Sequence, residues 1–418
     1  MLKKVILMLL LPASFLLASG FSIYEQNARA MSMAGAIMAR ANDPSAIFYN
    51  PAGISQLNGW QINMGSTMIH TEFGFTGPAN MDARYFTQAE DGNFFPSNFY
   101  LTYALLPKLT LGLGIYSPFG LATNWGSQEQ PWVGRLLATK TELTTLAINP
   151  VVAYRPLKNL SVAFGVSLLN AWVTLEKDVF FAPRTLYGSS KLKANTSGFG
   201  FNLGVQYTLF DRLHLGAIYR SSTSLNFKDG QAYFTFPTTT DPIVNQEIAA
   251  FFPKKTKGQA ELTLPASYGI GLAYDFTENL SLEADYLVFA WSSYDQLKIT
   301  FQEPVAGQTE TVTPRNYQDS YSLRFGLEYR MNEHFTVRAG YLWDQHAVPE
   351  EYVEPSLPEG DRHNYTIGLG YRYKQFTVDA AYHLLLQDDR EVTNTIHQFD
   401  GKYIGMANLY ALSFGYAF

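Results

Sequence analysis

No cysteine occurs anywhere in the 418 residues. For an exported chain that removes disulfides as a source of stability, so strand pairing and burial have to supply it. Charge is scarce too: 16% of the residues are Asp, Glu, Lys or Arg, against about 25% in ordinary soluble domains. The net charge of -6 comes with no basic run, which argues against nucleic acid as a partner. Beyond the N-terminus no stretch approaches the ~18 consecutive apolar residues of a transmembrane helix, and mean hydropathy is only -0.08. Chemistry is missing as well. There is no Gly-x-Ser-x-Gly for a nucleophilic serine, and the histidines (70, 214, 334, 346, 363, 383 and 397) show no metal-ligand spacing. The Gly-x-Gly pairs at 112/114, 198/200, 269/271 and 368/370 sit inside strand alternation with no helix after them, so they are small lumen residues rather than phosphate loops. No catalytic residue, metal or cofactor is expected, and the chain reads as a non-enzyme.

What is abundant is aromatic residues and glycine, with 27 Tyr, 30 Phe and 32 Gly. The N-terminus, "MLKKVILMLLLPASFLLASG", has a short basic region, an apolar core and a small-residue end. It reads as a signal peptide over residues 1–19, cut between 18 and 20. From Trp60 onward, apolar and small or polar residues alternate. In "NLYALSFGYAF", Tyr410, Leu412, Phe414, Tyr416 and Phe418 share one face, and Ala411, Ser413, Gly415 and Ala417 share the other. "YSLRFGLEYR" and "YTIGLGYRY" repeat the pattern. A greasy face rimmed by aromatics suits lipid. Short turns near 105–109, 155–160, 209–213, 275–280, 330–335 and 372–376 alternate with longer loops near 71–96, 120–140, 178–194, 228–258, 300–316, 344–362 and 387–403. Six turns and seven loops connect fourteen strands, an even number suited to a bacterial outer-membrane barrel. The terminal Phe418 fits the signal read by the barrel assembly machinery. Residues 20–58 break the pattern, being rich in Ala and Met with turns at 42–44 and 50–53. A fourteen-stranded lumen is too wide for its own side chains to fill. The reading is therefore all-β: a 14-stranded antiparallel transmembrane β-barrel over 59–418, with a mostly helical N-terminal hatch over 20–58.

One strand raises a question. "LTLGLGI" alternates cleanly, yet "YSPFGLATNW" follows it at once. Proline cannot donate to a ladder, and glycine weakens one. Pro118 either ends a strand before a loop or breaks the barrel wall.

These features together resemble the outer-membrane long-chain fatty-acid transporter (FadL) family over essentially the whole mature chain. The resemblance is carried by "GFSIYEQNARAMSMAGAIMARANDPSAIFYNPAG", with Asn50, Pro51 and Ala52 as the hatch motif, and by "YSPFGLAT" after the third strand. "GFGFNLGVQY", "LPASYGIGLAY" and "WDQHAVPEEYVEPSLPEGDRHNYTIGLGY" add to it. It implies that a hydrophobic ligand lands on apolar extracellular loops, passes to an inner pocket, and leaves sideways through a gap at a kinked third strand. Ser117, Pro118, Phe119 and Gly120 fall at that kink.

The candidate capture residues are Phe180, Phe181, Leu186, Ile248, Phe251 and Phe252, beside Lys254 and Lys255. Apolar groups next to ammoniums suit a fatty acid, although loop packing, or lysines on lipopolysaccharide phosphates, would use the same residues. Inward charges such as Glu283, Asp285, Glu328 and Asp379 are read as ion pairs tying wall to hatch. Arg324, Arg338 and Arg372 are the candidates for meeting a carboxylate. The expected ligand is a fatty acid, or else an aromatic hydrocarbon. The other expected partners are outer-membrane lipid, lipopolysaccharide and the assembly machinery, and the protein should be a monomer. A structural or adhesive barrel would leave the hatch and the broken wall without a purpose.

Overall fold

Antiparallel pairing of the alternating segments runs right round a closed ring in the computed structural model, which describes residues 20–77, 85–126 and 132–418. The signal-peptide reading of 1–19 lies outside the described residues. Strand β1 (Trp60–Gly77) pairs with β2 (Ser97–Leu106), and β2 with β3 (Leu109–Tyr116), which resumes as Gly120–Asn124. The long hairpin strands β4 (Lys140–Leu157), β5 (Leu160–Phe181) and β6 (Leu186–Leu209) follow. The next four strands each come in two pieces. They are β7 (Leu213–Arg220 and Thr223–Thr235), β8 (Lys255–Leu264 and Ser267–Asp275), β9 (Leu280–Phe289 and Gln296–Val305) and β10 (Gln308–Pro314 and Ser320–Arg330). Then come β11 (Phe335–Asp344), β12 (Arg362–Tyr373), β13 (Phe376–Val392) and β14 (Gly401–Ala417). Pairing of β14 with β1, from Gln61↔Ala417 to Thr76↔Lys402, closes the barrel at fourteen strands.

The alternation places its greasy face outward. Tyr410, Leu412 and Phe414 are about half exposed, whereas Ala411 and Ser413 between them are buried. All six short turns fall where the sequence puts them. The loop at 344–362 does as well, but other long loops do not. Most of 178–194 is strand, β5 and β6 pair as far as Phe181↔Leu186, and 300–316 is largely the β9–β10 hairpin. About 9–11 residues of strand cross a bilayer, so these hairpins rise well above it, where polar side chains stop marking a loop.

The barrel's core is the hatch. Its helix comes in three short pieces, less than the Ala/Met spacing implies: α1 (Ala28–Met31), α2 (Ala46–Tyr49) and a 3₁₀ turn over Pro51–Gln56. Asn27 caps α1 by accepting from Arg29 N and Ala30 N. Left-handed backbone at Ala34 (φ 54°) and Gly35 (φ 75°) then stops the helical path. Met31, Met33, Ile37, Met38, Ile47 and Tyr49 are fully buried against the wall. The wall gives way to them with glycine. A Cβ on Gly216 would lie 2.5 Å from Met38 O, and one on Gly340 2.5 Å from Met33 C.

Candidate functional site

Polar groups pin the body of the hatch to the wall. Asp285 accepts from Ile37 N and Met38 N at 3.0 Å each, and Glu283 accepts from Ala39 N at 2.5 Å. Asn50 donates to Met38 O and Val205 O (2.9 Å each) and accepts from Ala52 N, while Pro51 opens the 3₁₀ turn. The Asn50-Pro51-Ala52 stretch thus joins a hatch turn to β6. On the periplasmic side Glu328 sits between Arg29 (3.4 Å), Arg40 (3.7 Å) and Arg338 (2.6 Å), and Arg338 also binds Asp379 (2.7 Å). Such charges tolerate burial because each is paired.

The wall itself is interrupted at the Pro118 segment. Pairing of β2 with β3 runs up to Phe99↔Ile115 and stops. Beyond it, among the described residues, the resumed piece Gly120–Asn124 has its strand ladder with β4 and none with β2. Continuing the Phe99↔Ile115 register sets Pro118 directly opposite Pro96, so neither edge offers an N–H at the position where the ladder would continue. Reading the third strand alone misses Pro96. Its signal lay in the spacing, because both prolines are eleven residues from Pro107 in the β2–β3 turn.

The N-terminal run of the hatch lies along this interruption. Ile23 N donates to Pro118 O (2.9 Å), Gly120 N to Phe21 O (3.0 Å), and Gln26 Nε2 to Ser117 O (2.6 Å). Ser22 and Phe119 form an isolated antiparallel bridge. Phe21 packs on Trp291 and Phe119, with ring centroids 4.5 and 6.3 Å away.

Two cavities meet here. The inner one, about 440 Å³, is lined by Phe95 and Pro96 on one edge of the interruption and by Ser117, Phe119 and Gly120 on the other. Arg324 and Arg362 also line it, together with the carboxylates of Glu25 and Asp344. The outer one, about 500 Å³, lies among the extracellular hairpins. Phe21, Leu121, Leu143 and Leu357 line both, so a thin apolar partition divides them.

The sequence-nominated residues distribute unevenly over this frame. Phe180 and Phe252 line the outer cavity, whereas Phe181, Ile248 and Phe252 form a buried cluster with Phe234 and Val244 that holds the loops together. Leu186 packs on that cluster, and the Phe251 ring lies 5.5 Å from Phe181. Lys254 and Lys255 are not among the lining residues; the Lys255 ammonium stands 5.5 Å from the Tyr233 ring. Of the three arginines only Arg324 reaches the inner cavity. It sits 3.9 Å over the Tyr24 ring, donates to Ala34 O and Ser322 Oγ, and has no ion-pair partner among the described residues. Arg338 and Arg372 line a separate polar cavity of about 850 Å³ beneath the hatch.

The outer cavity has a polar corner that sequence reading did not find. Arg315 pairs with Glu354, and Ser356 Oγ and His397 also contact that carboxylate, His397 at 3.3 Å. Burial alone would raise the Glu354 carboxyl; the Arg315 guanidinium and these hydrogen bonds outweigh it and hold the group at about 2. In the hatch, burial pushes the Glu25 carboxyl up, against the opposing pull of Arg324.

A closed, lipid-facing barrel of fourteen strands, filled by a hatch and holding apolar cavities beside a break in its wall, defines an outer-membrane transport protein of the plugged-barrel class. The chain belongs to the outer membrane protein transport protein family (OMPP1/FadL/TodX), whose profile matches residues 9–418. Members of this family are transport channels of the Gram-negative outer membrane for hydrophobic compounds. The chain is 28% identical to a putative outer membrane protein of Neisseria meningitidis serogroup B, over 93% of this chain and 91% of the relative. It is 24% identical to a long-chain fatty acid transport protein of Salmonella typhi, over 96% and 94%. Its fold matches the crystal structure of a Pseudomonas aeruginosa FadL homologue with TM-score 0.84 at 20% identity, covering 95% of this chain and 99% of that one. For the Pseudomonas putida toluene transporter TodX the TM-score is 0.74 at 18% identity, covering 96% and 100%.

Proposed function

We propose that this protein takes up long-chain fatty acids by passive diffusion, with capture in the outer cavity, transfer past the Phe21–Leu357 partition, and lateral release through the interruption between β2 and β3. The observation that carries this reading is the inner cavity itself, bounded on two sides by the unpaired edges at Pro96 and Pro118. A ligand held there is already beside the membrane. Each methylene buried in such a cavity stabilises the complex by roughly 0.8 kcal/mol, so an acyl chain binds firmly without specific polar contacts. Arg324, which makes no ion pair among the described residues, favours an acid over a bare hydrocarbon. Uptake of aromatic hydrocarbons is the second reading, supported by the toluene transporter among the structural neighbours. The protein works as a monomeric channel rather than an enzyme, surrounded by outer-membrane lipid and lipopolysaccharide and folded by the barrel assembly machinery.

The test is a repaired wall. Pro96→Thr, Pro118→Val and Gly120→Val together restore the missing donors and strand-forming side chains. Uptake of radiolabelled oleate and toluene is then compared at equal surface expression. Loss of uptake of the preferred compound supports lateral exit, and the better compound names the class. Undiminished uptake removes the lateral route and sends the ligand past the hatch into the periplasm.

A further inference from the structure

Several lysines of the extracellular hairpins stand against a carboxylate. Lys140 pairs with Glu142 (2.9 Å), Lys191 with Glu176 (2.6 Å), Lys298 with Glu310 (2.7 Å) and Lys402 with Asp389 (2.5 Å). Lys193 and Lys255 have no ion-pair partner among the described residues, and Lys257 reaches only the exposed Asp229, at 3.7 Å. An exposed pair at that distance contributes little. Strand register gathers these three. β7 lies between β6 and β8, with Gln231 opposite both Lys193 and Lys257, and Tyr233 opposite both Lys191 and Lys255. Neighbouring strands are about 4.8 Å apart and alternate residues about 6.6 Å apart along a strand, so the four lysines mark the corners of a patch about 10 Å by 7 Å. The patch faces outward. Leu192, Ala232 and Thr256 alternate with its residues and are buried, and Leu192 and Ala232 line the outer cavity on the opposite face.

Height above the membrane decides what such a patch meets. Below Lys193 the outward face of β6 continues through Asn195 and Ser197 to the exposed Phe199, Phe201 and Leu203 of the lipid-facing band. Lys193 is six residues above Phe199, about 20 Å along the strand and about 15 Å above the apolar rim at the usual strand tilt. That is clear of the acyl chains, in the layer where the outer leaflet of a Gram-negative outer membrane carries its phosphorylated sugars. Ammonium groups held this close repel one another unless an anion lies between them. Flexible stems let lysines on neighbouring strands converge on one phosphate as point charges. We propose that Lys193, Lys255 and Lys257 form a docking site for a phosphate of lipopolysaccharide on the outside of β6–β8, with the Tyr233 ring offering its apolar face to the attached sugar. The site is independent of what the channel carries. It also gives Lys255 a role away from the outer cavity, from whose lining it is absent.

The experiment uses the full chain in detergent, with purified lipopolysaccharide and the same material stripped of its phosphates as probes. Binding is measured for the wild type, for Lys193→Gln with Lys257→Gln, and for Lys193→Arg with Lys257→Arg. Lys298→Gln with Lys402→Gln is the control, since it removes the same charge from lysines that already have carboxylate partners. One lysine at an anionic lipid surface is worth roughly fivefold in affinity, so the first Gln pair should weaken intact lipopolysaccharide about 25-fold. The Arg pair and the control should stay within about threefold of the wild type. Wild-type affinity for the intact probe should also fall with added salt. Equal binding of both probes to the wild type would assign the contact to acyl chains on the apolar band and overturn the site. Unchanged binding in the Lys193/Lys257 Gln pair would overturn it too, as would an equal loss in the control, which would mean attraction to net charge alone. Oleate uptake by cells carrying the Lys193/Lys257 Gln pair should be unchanged. Lost uptake with lipopolysaccharide binding intact would return these lysines to ligand capture and overturn the site.

Discussion

Locking the N-terminal run of the hatch onto the wall should stop transport. Ser22 and Phe119 face each other across an antiparallel bridge whose flanking bonds are Ile23 N to Pro118 O and Gly120 N to Phe21 O. That makes them the closely spaced, non-hydrogen-bonded kind of pair, with side chains near enough for a disulfide. In a chain with no cysteine of its own, Ser22→Cys with Phe119→Cys creates one bridge and no alternatives. The force holding the segment in place is modest. The two backbone bonds, the Gln26 Nε2 bond to Ser117 O and the 3.3 Å bond from Ser117 N to Gln26 Oε1 contribute about 1 kcal/mol each. Burying the Phe21 ring adds about 2 kcal/mol. Displacement thus costs about 6 kcal/mol, which leaves roughly one molecule in 10⁴ open without ligand. About seven or eight buried methylenes offset that cost, so oleate should open the site and butyrate should not. Oleate uptake by cells carrying the double variant should fall at least tenfold on oxidation and return with reductant. Both arms lack the Phe119 ring, so the comparison isolates the lock. A fully bridged variant, confirmed by mass, that still carries oleate at the reduced rate would refute the reasoning. The matching control locks the hatch body through Ser55→Cys and Ser161→Cys, whose hydroxyls are 2.7 Å apart. Uptake should survive that bridge.

Three further outcomes are expected. Asp285→Ala orphans two buried N–H groups at Ile37 and Met38 and should cost the docked hatch about 2–4 kcal/mol, read as faster proteolysis within residues 27–58. Gly216→Val drives side-chain atoms into Met38 O and should loosen the hatch by about 1–3 kcal/mol, measured as increased entry of polar antibiotics normally excluded by the outer membrane. The Glu354 carboxyl is held at about 2, below its ordinary 4.5, so its contribution is complete above pH 4.5 and is lost as pH falls toward 2. Protease resistance of the extracellular loops should be flat from pH 8 to 5 and decline below 4, and Glu354→Gln should abolish that decline.

Strand count, the short turns and the outward face were determined by the sequence alone, because a period of two and punctuating turns are local properties that lipid and lumen impose residue by residue. The need for a hatch was equally legible, since residues 20–58 lack the period and a wide barrel needs filling. Pro118 marked the broken strand by the same local logic. What opposes it was decided by register, which places Pro96 across the gap, and register depends on a partner strand. Loop lengths were misjudged because hairpins above the membrane keep pairing after the alternation stops. The cations of the outer cavity were a tertiary matter altogether. Lys254 and Lys255 are neighbours of Phe252 in the chain but stand off the lining. Arg315 and Glu354, 39 positions apart in the chain, pair only because the end of the β9–β10 hairpin and the loop between β11 and β12 close around one chamber.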